Sequence, residues 1–445
     1  MKLSFRNFSI SKLIFIFSSC ILIPSVSSSQ FTFGGQFVQR AEYRHGYGKL
    51  IAEDSEPAAF VSHRLRLQGI YTWEKISLFA SIQDIRTWGN TSQAKLTDNY
   101  LSLHEGWVLI PVGEYWSFQI GRQELNYDNV RFLGNLDWAL QARAHDFARI
   151  RFEKNNLKLH AGGGWNQTNE SLAGNTYSTA DQYKTAQFLR LENKNGALEY
   201  SFLFWNNGRQ YVQRDSLNQI IDKDTRFTQT LGISNLMYQL GNAQVSGFGY
   251  YQLGKDLLNR KVNAYDAGLQ FSYKFKLNGG NTRTLKATIG YEVVSGTNQN
   301  NILQENNSFD PMYGTNHIHN GYMDYFYVGG RHVNSVGLRD GFARLTYQPR
   351  SQMFLNIGFH TFMADASILN ENTEMNSSLG SEIDLTTGYT FNKALSIQAG
   401  YSQMFGTTSL EYLQGIQNPA STQNWIYMML IFRPDSDKKY IGVML

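Results

Sequence analysis

The chain has 445 residues, of which 17% are charged and 14% aromatic, with 39 Gly, 7 Pro and 1 Cys. That aromatic content excludes a disordered chain, and a single cysteine excludes a disulfide scaffold or a multi-cysteine zinc site. A net charge of +4 is too small for a nucleic-acid partner, and past the N-terminus no apolar run reaches the ~18 residues of a membrane helix.

Residues 1–29 read as a secretory signal. Lys2, Arg6 and Lys12 form its basic start, 13–23 its apolar stretch, and Pro24 with the following Ser25, Val26, Ser27, Ser28 and Ser29 its cleavage region, with cleavage expected before Gln30. Cys20 lies inside the apolar stretch, which continues through Ile21, Leu22 and Ile23, unlike a lipoprotein anchor. The remainder divides into a barrel over 30–433 and a tail over 434–445.

From Gln30 onward, alternating segments of about ten residues recur. Eighteen are expected: 31–44, 59–73, 76–88, 99–110, 115–125, 145–153, 156–165, 186–193, 197–206, 227–238, 242–254, 263–276, 283–295, 334–348, 351–364, 379–391, 394–405 and 423–433. Every second connection is short. The intervening ones, at 45–58, 89–98, 126–144, 166–185, 207–226, 255–262, 296–333, 365–378 and 406–422, are longer and polar. Short turns alternating with long loops are the signature of an all-β, transmembrane antiparallel β-barrel of about 18 strands, with short periplasmic turns and long extracellular loops.

Within segments the alternation has the sense that lipid demands. Leu65, Leu67, Tyr71 and Trp73 oppose Arg64, Arg66 and Gln68; Ala148, Ile150 and Phe152 oppose Arg149, Arg151 and Glu153; Leu269, Phe271 and Tyr273 oppose Asp266, Gln270 and Lys274. Apolar positions face hydrocarbon and polar ones a wet lumen. Trp73, Trp107, Trp116, Trp165, Trp205 and Trp425 fall near segment ends, as an interfacial girdle would place them. Two segments break the rule. Asp84 and Arg86 share parity with Leu78, Ala80 and Ile82, and Arg122 and Glu124 share parity with Trp116, Phe118 and Ile120. A bulge that flips the phase is the favoured explanation, at Gly121 in the second case. Charges lying above the bilayer are the alternative.

Eighteen strands enclose more space than side chains fill, so the lumen is expected to be aqueous. Its first half supplies Arg40, Arg44, Arg64, Arg66, Arg149, Arg151 and Arg190 against Glu42, Glu153 and Glu192. Its second half supplies Lys274, Lys286 and Arg344 against Glu199, Asp266, Glu292, Asp340, Glu382 and Asp384. A basic wall thus faces an acidic one. Such a split either orients acidic solutes across the pore or stiffens the wall through salt bridges. Loop 296–333, rich in apolar and aromatic residues, is expected to fold inward as a constriction or to cap the outside. Loop 126–143, with Arg131, Phe132, Leu133, Leu136 and Trp138, has the same inward character. His317 and His319 have no supporting ligand set, so neither a metal nor a cofactor is expected. His104, His145, His160 and His360 lie in strands, but no G-x-S-x-G motif accompanies them, so an enzyme is not expected.

Several blocks resemble the alginate-export porin family of Gram-negative outer membranes. They are Gly121-Arg122-Gln123-Glu124-Leu125, then Arg131 to Trp138, then Ala142 to Phe152, and later His317 to Phe326 and Gly380 to Asp384. The resemblance implies a monomeric eighteen-stranded barrel in outer-membrane lipid with an arginine-rich constriction for an anionic polysaccharide. It implies pore roles for Arg122, Arg149 and Arg151, with Asp146 and Glu124 as partners. The pattern departs from the family in its charge-split lumen, and because the chain runs from Phe432 on to Leu445 instead of ending on an aromatic. The expected activity is therefore passive passage of small or oligomeric anionic or sugar-acid solutes. The residues expected to line the pore are Arg40, Arg64, Arg66, Arg122, Glu124, Asp146, Arg149, Arg151, Glu153, Arg190, Lys286, Glu382 and Asp384. The competing expectation is a non-conducting scaffold or adhesin that binds partners through its extracellular loops.

Overall fold

The computed structural model describes residues 30–445 except 96, 178, 278–282, 301, 303 and 328–334; the segment 1–29 expected to be a secretory signal, with Cys20, lies outside the described residues. Eighteen long strands form one closed antiparallel barrel: β1 (Gln30–His45), β2 (Ala58–Trp73), β3 (Ile76–Thr87), β4 (Leu101–Val112), β5 (Trp116–Gln123), β6 (His145–Lys154), β7 (Leu157–Trp165), β8 (Thr185–Asn195), β9 (Leu198–Arg214), β10 (Ile220–Leu240), β11 (Ala243–Lys255), β12 (Lys261–Lys276), β13 (Thr284–Val294), β14 (Leu338–Arg350), β15 (Met353–Met363), β16 (Ser378–Thr390), β17 (Leu395–Gly406) and β18 (Gln423–Phe432). Each pairs with its sequence neighbours. The last closes on the first with Phe37 opposite Phe432 and His45 opposite Asn424. A short helix, α1 (Thr408–Gln414), sits in the final long loop, N-capped by Thr407.

The alternation places side chains as hydrocarbon requires. Along β12, Tyr265, Leu269, Phe271, Tyr273 and Phe275 are exposed outward, while Asp266 and Ser272 are buried inward. The outer apolar surface is continuous around the wall, through Leu65, Ile150, Leu189, Ile289, Leu345, Ile357, Leu385 and Ile426. Such a surface is stable only against lipid.

Four expectations need correction. The girdle is partial: Trp73, Trp116 and Trp165 project outward, whereas Trp205 and Trp425 are wholly buried in the lumen. Trp107 also points inward, donating Nε1–H to Glu105 at 3.2 Å. Parity decides this, because each lies in register with inward neighbours; Trp88, above β3, is the further outward tryptophan. Second, no phase flip occurs at Asp84 and Arg86. They stay outward, doubly hydrogen-bonded to each other at 2.7 Å, and Arg86 also reaches Asp98 at 2.8 Å. The bulge in this region is on the opposing strand, where His104 is the extra residue between Glu105 and Leu103. Third, Gly121 adopts φ +124 but remains in register with Trp107 and Phe147. A Cβ there would stand 2.2 Å from the Gly106 carbonyl oxygen, so the glycine permits a close strand approach and no change of face. Fourth, the long connection expected over 207–226 is mostly a hairpin extension: β9 runs to Arg214 and β10 starts at Ile220.

If the outer face of β12 meets hydrocarbon, Leu269→Arg will cost about 2–4 kcal/mol of folding stability in lipid vesicles. Gln270→Arg, one residue along and facing the lumen, will cost far less. Urea titration of vesicle-embedded protein, read by tryptophan fluorescence, checks the difference.

Candidate functional site: the occupied lumen

Two long loops fold into the barrel. Residues 124–144 join β5 to β6, and residues 295–337 join β13 to β14. They are sewn together at a parallel bridge between Leu133 and Tyr313. Gly134 donates its N–H to the Tyr313 carbonyl at 2.9 Å, and Thr315 to the Val130 carbonyl at 2.8 Å. The Thr315 hydroxyl accepts the Leu136 N–H at 2.8 Å. Phe132, Leu133, Trp138, Phe309, Tyr313 and Met323 make the buried core of this assembly, packed on Trp205, Tyr250 and Trp425 from the wall. The described residues of loop 295–337 therefore fill the lumen rather than cap the outside.

The basic wall holds the first loop. Arg40 donates to the Trp138 carbonyl at 2.7 Å and lies 4.3 Å from the Trp138 ring centre. Arg64 donates to the Leu140 carbonyl at 3.0 Å and to Asp137 at 2.7 Å. Arg149 reaches the Tyr127 hydroxyl at 2.7 Å, and Arg190 pairs with Asp128 at 2.6 Å. Arg66 is held by Gln83, at 2.7 Å from Nη2, and lies 3.7 Å from Glu124. Arg151 pairs with Glu153 at 2.6 Å, and Glu153 with His160 at 3.0 Å.

The acidic wall receives what the loops return. Arg131, with no solvent exposure, crosses to Asp266 at 2.9 Å and Glu292 at 2.8 Å. Asn316 and Asn320 accept two further N–H groups at 3.2 and 2.9 Å. Asn320 in turn donates to Glu292 at 2.8 Å and Asp340 at 3.2 Å. Glu382 accepts the Met323 N–H at 2.9 Å, and Asp384 accepts the Ser402 hydroxyl at 2.5 Å. Burial alone would lower the Arg131 pKa; Glu292 and Asp266 reverse this and raise it above the usual arginine value.

Of the residues expected to line the pore, Arg40, Arg64, Arg66, Glu124, Arg149, Arg151, Glu153, Arg190, Lys286, Glu382 and Asp384 point inward. Arg122 and Asp146 do not. They pair with each other at 3.1 Å with side chains 40% and 65% exposed, on the outward faces of β5 and β6. The inward places beside them belong to Gln123 and His145, both buried. Alternation through Ile120, whose face Arg122 shares, already carried that signal; the bulge expected at Gly121 obscured it. Arg131 is the central residue that charge sorting by strand parity could not reach, because it sits in a loop.

Above the loops, a cavity of about 680 Å³ opens toward the long-loop end. Arg44, Arg143, Tyr47, Phe60, Trp138 and His317 are among its lining residues. Trp138 and His317 stack at 3.8 Å with planes 4° apart, and Asp324 fixes His317 Nδ1 at 2.8 Å. Arg44 lies 4.1 Å from the Tyr47 ring centre. Arg143 donates to the Gly314 carbonyl at 3.0 Å, and burial pushes its pKa down to about 10. A second cavity of about 730 Å³ lies toward the short turns, again walled by Trp138. The described residues that approach a metal-ligand arrangement are His104, Glu105 and Glu124, with donor atoms within 4.8 Å of one another. The nearby Arg66 guanidinium already supplies positive charge there. His317 is engaged by Trp138 and Asp324, and burial holds His319 well below the usual imidazole pKa, with Arg131 adding to the effect.

No family model matches the chain, and no curated protein matches it in sequence. Solved structures do match. OccAB4 of Acinetobacter baumannii aligns with 92% of this chain and 99% of its own, at TM-score 0.58 and 10% identity. OpdQ of Pseudomonas aeruginosa aligns over 90% and 97%, at 0.55 and 11%. OpdK of Pseudomonas aeruginosa, solved with vanillate, aligns over 90% and 98%, at 0.55 and 11%. The fold is that of an outer-membrane channel barrel.

Two outcomes follow from the lumen contacts. Arg131→Ala strands Asp266 and Glu292, and losing one partner of a buried pair costs about 3–5 kcal/mol. Hydrogen exchange in 305–326 will accelerate before the barrel strands respond. Burial alone would raise Asp137, but Arg64 and Arg433 hold its carboxyl well below the usual range. Its contribution is therefore complete above the unfolded value of about 3.9 and lost only as pH falls through the lower folded value. Loop protection at 133–141 will be flat from about pH 5 to about pH 8 as regards this group, whereas Asp137→Asn will loosen the loop at neutral pH.

Proposed function

We propose that the chain is a channel of the Gram-negative outer membrane that admits small anionic solutes, single aromatic or sugar carboxylates, from its outer vestibule. The observation that carries this reading is the 680 Å³ cavity with Arg44 and Arg143 on its wall among Tyr47, Phe60 and Trp138. A guanidinium offers a planar donor fork to a carboxylate, and the aromatic faces suit the flat or CH-rich body attached to it. Arg143 forms no ion pair among the described residues, so its charge is available to a solute. OpdK, a barrel of similar fold, was solved with vanillate, an aromatic carboxylate, and the blocks resembling alginate-export porins point to sugar acids. Cavities of this size favour single small solutes over a polymer.

The experiment is single-channel recording of the refolded chain in a planar bilayer under a salt gradient. Discrete steps with an anion-favouring reversal potential are expected. Added vanillate or a uronate should block them transiently. Arg143→Ala and Arg44→Ala should each weaken that block by about 1.5–3 kcal/mol, the worth of a hydrogen bond to a charged group. Steps that favour cations, or block unchanged in both variants, would overturn the solute assignment. A folded barrel with no steps at any voltage would favour a scaffold that binds through its loops.

A further inference from the structure

The barrel wall ends at Phe432, but the chain turns back into the lumen. Arg433 donates to Asp137 at 2.7 Å, the carboxylate that Arg64 also holds. Tyr440 packs on Phe354 at 4.6 Å between ring centres, and its hydroxyl meets Thr390 at 2.9 Å. Ile441 is buried and exchanges two hydrogen bonds with the Gln398 side chain, at 3.0 Å through its N–H and 2.9 Å through its carbonyl. Gly442 lies against the Trp138–His317 stack. Met444 donates its N–H to the Tyr322 hydroxyl at 3.3 Å, and the Leu445 carbonyl accepts from Lys286 at 3.1 Å. The segment thus runs from the β17 wall to the β13 wall, beneath both inward loops.

We propose that residues 433–445 are a displaceable plug that closes the short-turn half of the lumen, and that solute passage requires their release. This rests on the channel reading above. The contacts suit an element that detaches. Ile441 is the segment's one apolar side chain that is fully buried, and Asp437, Lys438 and Lys439 interrupt any apolar docking face. Segments with few buried apolar contacts and exposed hydrogen bonds open at low free-energy cost. The plug also senses the loops it supports. It touches the first through Asp137 and Trp138 and the second through His317 and Tyr322, so a solute that shifts the stacked pair disturbs the seat of Gly442.

That seat supplies a selective variant. Gly442 has φ +67, and a Cβ there would meet the Trp138 ring at 2.2 Å and His317 at 3.0 Å. Gly442→Val therefore ejects the plug while leaving every barrel strand untouched. A second variant ends the chain after Arg433. A third, Gln398→Cys with Ile441→Cys, pins the plug by a disulfide in the otherwise cysteine-free exported chain. Folding is confirmed for each by heat-modifiable migration. In planar bilayers, Gly442→Val and the shortened chain should raise the open fraction at least about tenfold over the parent. The oxidised double-cysteine chain should stay shut and reopen on reduction. Trypsin should cut at Lys438 and Lys439 faster in Gly442→Val than in the parent. If the parent and both released variants conduct alike, the plug is overturned and the channel stands. If none of the folded variants conducts, the channel reading falls and the plug falls with it.

Discussion

Closure of β1 on β18 is the constraint from which the rest follows. In hydrocarbon no strand edge can keep its N–H and C=O groups unpaired, so the first and last strands must find each other, and they do over Phe37–His45. Closing eighteen strands fixes a circumference that wall side chains cannot fill. The outward positions have one demand, apolarity, and the inward ones are left to face a space that something else must occupy.

What occupies it is set by the inward charges. Buried guanidinium and carboxylate groups are costly unless paired and hydrogen-bonded. On the basic side, Arg40, Arg64, Arg149 and Arg190 find their partners mainly in loop 124–144, through carbonyls, Asp137, Tyr127 and Asp128. On the acidic side, Asp266 and Glu292 take Arg131 from that same loop, and Glu382 takes a backbone N–H from the second loop. The split walls therefore act as a socket. Charge that a sequence reading would give to the solute is largely spent on holding protein segments. At the upper rim of the socket Arg44 is itself paired with Glu42 at 2.8 Å, which leaves Arg143, bound to the Gly314 carbonyl, as the guanidinium best placed for the anion proposed above.

The wall was legible because alternation of period two has a single physical cause along its whole length. Leu269 beside Gln270, or Ile150 beside Arg151, announces its face without any tertiary information. Structure and expectation part where a second rule overrides parity. Arg122 and Asp146 share the face of Ile120 and Ala148, yet the block around them suggested a pore role; in the structure they form an exposed pair on the outside. Residue type alone assigns Trp205 and Trp425 to a girdle, although parity sets them among inward residues. The lumen contents were only half legible. The aromatic density of 126–143 and 296–333 signalled burial, but Arg131 contacts positions more than a hundred residues away, and no local pattern encodes that. The tail after Phe432 carries no period at all, so its place inside the barrel is a tertiary fact.

The three inserted segments are not independent fillings. Asp137 is shared by Arg64 of the wall and Arg433 of the tail, and Trp138 is shared by Arg40, His317 and the seat of Gly442. One adjacent pair of residues thus ties wall, both loops and tail at a single level of the lumen, between the two cavities. Interactions that share a partner do not add independently, so loosening one segment removes support from the others. In the proposed channel, a solute entering from the outer vestibule would meet this junction first on its Trp138 face. The part of the lumen that such a solute would reach first is therefore also the one whose displacement frees the most protein. Such a lumen can remain well packed when empty and still yield to a ligand that acts on only a few side chains.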